Sequence, residues 1–336
     1  MTDAADITPP RARADFLCTP EFEAGLVQAL TAGALANGWL ITGGEGAGKA
    51  TLAFRLARAL LSKQREKDSS SFAIPKSSQT FSLVASGGHP DLFVAERQYD
   101  EKKERHATEI SIEVIRALTH FLSHTASMGG WRVAIIDTAD DLNRNSANAL
   151  LKALEEPPPR TAVFVLSASP GRLLATIRSR CRRIELRPLP ADMIAEFLVR
   201  ESAAGTEDAA RIARASCGRP GFALSLALGD GGAAIDAIEE FWAAARIGGD
   251  VSAIGQRLAA KNADGVWQYF RVMLIERLAR DAANDAIAHG TAAGAIADLR
   301  ERIDVIFTRG DAVNLDRVQM VMAAARFMRA AYAIAR

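Results

Sequence analysis

The sequence predicts an α/β core built on a parallel sheet, followed by two helical segments. Three observations carry this. Short apolar runs alternate with helical patterns from Trp39 to about Pro188, the order in which buried parallel strands and their crossover helices occur. A glycine-rich turn, Gly43 to Gly48, separates the first of these runs from a helix. From Pro190 onward strand signals stop, and alanine-rich patterns of helical period take over.

Taken in order, Thr19-Pro20-Glu21 reads as an N-cap, a proline at the first helical position and an acidic first turn, so a helix is expected from there towards Ala34. The expected strands are Trp39–Ile41, Leu92–Ala95, Val133–Ile136 and Val163–Leu166. Helices are expected after Lys49, near Ile112–Phe121, over Ser146–Leu154 and at Leu173–Ile177, with strand-like sequence from Arg182 to Leu186. Between Lys63 and His89 a serine-rich, charged stretch without periodicity predicts a surface insertion. The run Arg97 to Glu109 reads as a solvated loop rather than a nucleic-acid patch, and neither stretch is expected in the core. Trp267, Phe270, Leu274 and Leu278 fall on one face of a helix and read as core. After Arg309-Gly310-Asp311, a last helix is expected to start near Leu315.

Length and charge narrow the function. At 336 residues two or three domains are expected. A net charge of +1 excludes a protein that holds DNA alone by counterion release, so any DNA contact is expected to be shared with partners. The cysteines Cys18, Cys181 and Cys217 are too far apart in sequence for a CxxC pair or a zinc knuckle. With no signal-peptide pattern and no apolar run of about 18–20 residues, the expectation is a soluble, cytoplasmic protein that meets no membrane.

Gly43-Gly44-Glu45-Gly46-Ala47-Gly48-Lys49, between a strand and a helix, stands in the context of a phosphate-binding loop. Gly43, Gly46 and Gly48 would let backbone N–H groups curl around a phosphate, and Lys49 would reach its outer oxygens. A plain glycine turn with an exposed lysine is the competing account. The next residue is Ala50, whose methyl cannot ligate magnesium, and Thr51 is turned about 100° away on a helix. Asp137, at the end of a buried strand, would face the metal. Asp140 and Asp141 are expected to cap the following helix.

Asp137-Thr138-Ala139-Asp140-Asp141-Leu142, followed by the run from Asn145 to Pro158, resembles the hallmark of bacterial DNA polymerase III clamp-loader subunits. Thr176-Ile177-Arg178-Ser179-Arg180-Cys181 resembles the Ser-Arg-Cys motif that closes the AAA+ core in that family. The resemblance implies an AAA+ P-loop core over 1–188, a small helical lid over 189–229 and an all-α collar over 230–336 for oligomerisation. It also implies partners: gamma or tau and delta subunits, with the sliding clamp and primer-template DNA met through the complex.

Departures from the family's ATPase pattern point to its delta-prime type. Ala50 replaces the metal ligand, Thr138 the water-positioning glutamate, and Gly221 the second sensor arginine. The expectation is therefore a subunit of a DNA-directed DNA polymerase holoenzyme without catalysis of its own. It would require no cofactor, and weak ATP or ADP binding is compatible with its degenerate site, Gly43, Gly46, Gly48, Lys49 and Asp137. Arg180 survives, and its expected use is in trans, as an arginine finger on a neighbour's ATP. Many relatives carry a four-cysteine zinc module after the P-loop helix, but Lys63 to His89 holds no cysteine, so no zinc is expected. His89 reads as a turn or packing residue, and Cys181 and Cys217 as small buried hydrophobes. Two alternatives remain: an active gamma- or tau-type ATPase, favoured by Lys49 and Asp137, and a structural scaffold in which Arg180 only forms a salt bridge or pairs with Glu185.

Overall fold

The computed structural model describes residues 7–31, 37–63, 72–100, 105–288 and 293–334. They fall into two compact units. One is Ile7–Leu189 with Arg219–Gly221; the other is Pro190–Gly218 with the chain from Phe222 onward.

The first unit contains β1 (Gly38–Thr42), β2 (Leu92–Glu96), β3 (Tyr99–Asp100), β4 (Arg105–His106), β5 (Arg132–Asp137), β6 (Thr161–Ser167) and β7 (Arg182–Glu185). Five of these form a parallel sheet in the order β2-β5-β6-β1-β7. Its helices are α1 (Pro20–Thr31), α2 (Lys49–Leu61), α3 (Gln79–Ala85), α4 (Ile112–Ser123), α5 (Arg144–Glu155) and α6 (Ala175–Arg180). Successive side chains of a strand face opposite ways. Trp39, Ile41, Ile135 and Phe164 therefore join one apolar layer with Leu26, Leu52 and Val84 from α1, α2 and α3. Leu40, Ile136, Val163 and Val165 join the other with Ile115, Leu150 and Ile177 from α4, α5 and α6. A sheet covered on both faces explains why its strands read as near-continuous apolar runs. The α1 start is also as read: Thr19 Oγ1 accepts the Phe22 N–H at 3.3 Å. Residues 32–34 of that expected helix lie outside the described residues.

Two expectations need correction here. The stretch from Lys63 to His89 does reach the core. Residues 64–71 lie outside the described residues, but beyond them Ile74, Phe81 and Val84 are buried. Phe81 and Val84 sit on α3, whose N-cap Ser78 accepts the Phe81 N–H at 3.0 Å. A seven-residue helix inside a serine-rich run is too short for its period to register. His89 is buried, and its Nδ1 accepts the Asp91 N–H at 3.1 Å, in keeping with a turn and packing role. Within the run Arg97 to Glu109, β3 and β4 pair as an antiparallel hairpin instead of an unstructured loop, with residues 101–104 outside the described residues.

The second unit consists of α7 (Ala191–Arg200), α8 (Thr206–Ala215), α9 (Pro220–Leu228, whose first two residues belong to the other unit), α10 (Gly231–Ile247), α11 (Ser252–Leu258), α12 (Asp264–Ala288), α13 (Ala293–Ala312) and α14 (Arg317–Ile334). The segments expected as lid and collar thus share this unit, and α8 packs on α10. The stripe Trp267, Phe270, Leu274 and Leu278 is buried, as read. Trp267 meets Phe307 edge-on at 5.1 Å, and Phe270 meets Phe241 at 5.3 Å. The last helix, α14, starts at Arg317, close to the expected Leu315, and Arg309-Gly310-Asp311 before it is itself helical, inside α13. Gly310 is there because α14 comes close: a Cβ would stand 2.2 Å from the Met320 sulfur. No single helix among the described residues is long and apolar enough to cross a membrane.

Candidate functional site

The glycine loop lies at the C-terminal edge of the sheet, between the end of β1 at Thr42 and the start of α2 at Lys49. Gly46 and Gly48 have φ of 77° and 93°, a left-handed course that glycine adopts without steric cost. Lys49 turns inward: its ammonium donates to the carbonyls of Gly43 and Gly44 at 2.9 and 3.0 Å. The Gly46 carbonyl accepts the N–H of Gly221 at 2.8 Å. A Cβ on Gly221 would lie 2.9 Å from that same oxygen, so the approach needs glycine at this position. Beside it Arg219 is buried, its stem packed on Gly44. The Ala50 methyl packs against the apolar layer that contains Trp39 and Leu52.

Asp137 ends β5 at the same edge. Burial raises its carboxyl pKa and Glu96 adds to the rise, while Lys49 opposes it. Burial also lowers the Lys49 ammonium pKa, against the pull of Asp140 and Asp137. Desolvation therefore outweighs mutual attraction for both groups. Thr138 Oγ1 donates to the Leu166 carbonyl at 2.9 Å.

Asp140 and Asp141 do not cap α5. That role falls to Asn143, whose side chain accepts the Ser146 N–H at 2.9 Å. Asp140 instead holds the turn after β6, accepting from Ser167 Oγ at 2.7 Å, the Ala168 N–H at 2.6 Å and the Ser169 N–H at 3.3 Å. Asp141 pairs with Arg97 at 3.1 Å. Both carboxylates lie before the N-cap and find partners distant in sequence, which local capping rules cannot anticipate.

Arg180 stands at the other edge. It ends α6, and β7 begins two residues later with Arg182 opposite Trp39, near the start of β1. The five residues of β1, at roughly 3.3 Å each, set that edge some 16 Å from the glycine loop. Arg180 Nη2 meets Glu155 Oε1 at 2.8 Å, and Nη1 donates to the Thr176 carbonyl at 3.1 Å. Its side chain is still 35% exposed. Its basic neighbours have other partners. Arg178 donates to the Pro170 carbonyl at 3.1 Å, Arg182 lies over the Trp39 ring at 5.3 Å, and Arg183 pairs with Glu185 at 3.5 Å. Glu185 thus belongs to Arg183, and the partner of Arg180 is Glu155.

The structure therefore gathers Gly43, Gly46, Gly48, Lys49 and Asp137 at one edge and sets Arg180 at the opposite one. Sequence reasoning missed Glu155 and Arg219. The available signals were the acidic end of the α5 run and an arginine held between Gly218 and Pro220. Cys181 is half-buried against the core, with burial pushing its thiol up to about 11. Cys217 is also half-buried rather than buried, and its sulfur accepts from Arg280 at 2.9 Å.

A family profile described as DNA polymerase III, delta subunit, matches residues 19–190. The chain is 30% identical over 284 residues to DNA polymerase III subunit delta' of Escherichia coli K12, an alignment spanning 84% of this chain and 82% of that one. It is 40% identical over 155 residues to the subunit delta' of Pseudomonas aeruginosa, spanning 46% of this chain and 44% of that one. Subunit tau of E. coli K12 is 28% identical over 240 residues, spanning 68% of this chain and 35% of tau.

Proposed function

This chain belongs to the delta-prime family of bacterial DNA polymerase III subunits and is a component of the clamp loader; we propose that it turns over no ATP itself and lends Arg180 to ATP held by a neighbouring gamma- or tau-type subunit. The observation that carries this reading is the position of Arg180, partly exposed at the edge away from the chain's own glycine loop. From there it cannot serve Lys49, but it is open to a partner. A planar guanidinium forks onto phosphate oxygens, and an arginine reaching across an interface stabilises the charge of phosphoryl transfer.

Support for a silent site of its own is chemical. Ala50 has no oxygen for magnesium, Thr138 has already donated its hydroxyl, and Lys49 is held by its own loop. These residues do not fit a magnesium nucleotide. Weak ATP or ADP binding would have to displace Lys49 from two carbonyls. No zinc is proposed. The helical unit is read as the assembly surface, with delta as a further partner and the sliding clamp and primer-template DNA reached through the complex, in the cytoplasm.

The scaffold reading is favoured by one observation, the Arg180–Glu155 ion pair. Exposed pairs of this kind are worth about 0–1 kcal/mol, so a phosphate can compete for the arginine. The test is steady-state hydrolysis by the isolated chain and its co-assembly with gamma or tau and delta. The expected result is assembly, with background turnover that Lys49→Ala leaves unchanged. Magnesium-dependent turnover abolished by Lys49→Ala would make the chain a motor subunit.

A further inference from the structure

The helical unit holds a cavity of about 360 Å³ that the clamp-loader reading does not use. Four arginines line it, Arg211 and Arg214 from α8 and Arg277 and Arg280 from α12, against two carboxylates, Glu239 and Asp281. In a chain of 41 basic and 40 acidic side chains this is a local excess of two positive charges, four less two.

The carboxylates have partners already. Arg211 pairs with Asp236 and, at 3.8 Å, with Glu239. Asp281 accepts the Tyr332 hydroxyl at 2.8 Å and acts on Arg277, which stacks on Trp242 at 4.2 Å. Arg214 and Arg280 remain. Among the described residues neither forms an ion pair, and Arg280 donates to the Cys217 thiol at 2.9 Å. A thiol is a weak acceptor, and a guanidinium carries five N–H donors. The carbonyl end of α8 accounts for a cation at Arg214, in its last turn, but not for Arg277 and Arg280, which lie inside α12. Burial pushes the Arg277 pKa down; Asp281 opposes this most strongly, Arg280 adds to it, and Glu239 and Tyr332 oppose it more weakly.

We propose that this cavity is a site for a phosphate group, held by Arg214, Arg277 and Arg280. An anion among the three replaces their mutual repulsion with charge-assisted hydrogen bonds. The cavity has room for roughly a dozen water volumes, enough for a diphosphate or a length of sugar-phosphate backbone. The phosphate can therefore come from a free polyphosphate or from single-stranded DNA.

The test uses the full chain carrying Lys49→Ala, so that the glycine loop cannot account for binding. Pyrophosphate is titrated by calorimetry, and a labelled oligothymidylate by fluorescence anisotropy. The expected result is binding of at least one probe, weakened at least tenfold by Arg214→Gln with Arg280→Gln and weakened by added salt. Arg257→Gln, whose partner Glu240 lies outside the cavity, should leave it unchanged. Pyrophosphate binding alone assigns the site to a free polyphosphate, and oligonucleotide binding assigns it to the DNA backbone. Arg280→Gln alone gives the same comparison if the double variant folds poorly. No binding of either probe at millimolar concentration, or binding that the arginine variants leave intact, or an equal loss from Arg257→Gln, would overturn the proposal.

Discussion

At the C-terminal edge of the sheet the polar groups of the degenerate site end on the chain itself: Lys49 on Gly43 and Gly44, Gly46 on Gly221, Thr138 on Leu166, Asp140 on the turn after β6. At the N-terminal edge Arg180 keeps one carboxylate partner and a third of its surface in solvent. On the proposed reading a loader subunit has two half-sites, one for its own nucleotide and one for its neighbour's. On that reading the two can be lost separately. At the glycine-loop edge the polar groups hold the fold together. At the edge proposed to meet a neighbour, Arg180 is accessible.

The largest expected effect lies at the accessible edge. Arg180→Lys in a reconstituted loader keeps the charge and loses the fork, so the one ATP site it serves should lose much of the roughly 10³–10⁵ in rate that trans arginines supply elsewhere. Pre-steady-state hydrolysis reads this, and a wild-type burst would break the contrast. Next comes the structural edge. Asp140→Ala removes the acceptor of the Ser167 hydroxyl and of the Ala168 and Ser169 N–H groups and should cost about 1–3 kcal/mol in urea denaturation. A smaller effect is expected from Glu155→Ala, which removes only an exposed ion pair and should cost less than about 1 kcal/mol in the same assay. If it cost as much as Asp140→Ala, the accessible edge would be structural too.

The smallest effect depends on pH. The folded chain raises the Asp137 pKa above its ordinary 3.8, so the folded state binds that proton more tightly. Its contribution is fully present below 3.8 and is lost as pH rises through the folded value. Asp137→Asn should therefore be slightly more stable than wild type at neutral pH, with the gain vanishing in acid. Thermal melts across pH measure it.

Much of this contrast was legible because its signals are local. The strands are contiguous apolar runs, and the loop from Gly43 to Lys49 is one uninterrupted motif between a strand and a helix. What escaped was non-local. Asp140 finds Ser167 twenty-seven residues on, and Arg180 finds Glu155 twenty-five residues back. Gly221 meets Gly46 from far along the chain, so the sequence showed a missing arginine there but not the contact made in its place. Gly310 is non-local in the same way: it is a contact point for Met320, which only the packing of α14 on α13 reveals.

The proposed functional separation of the two edges is tested most directly by a clamp-loading assay on two otherwise identical loaders. One loader carries Lys49→Ala in this subunit, the other Arg180→Ala, and both are checked for assembly before loading and clamp- and DNA-stimulated hydrolysis are measured. Wild-type behaviour is expected for Lys49→Ala. For Arg180→Ala a partial loss of total hydrolysis is expected, because one ATP site among several is affected, with a larger fall in loading. Unchanged loading and hydrolysis in the assembled Arg180→Ala loader, or a loss confined to Lys49→Ala, would contradict that separation.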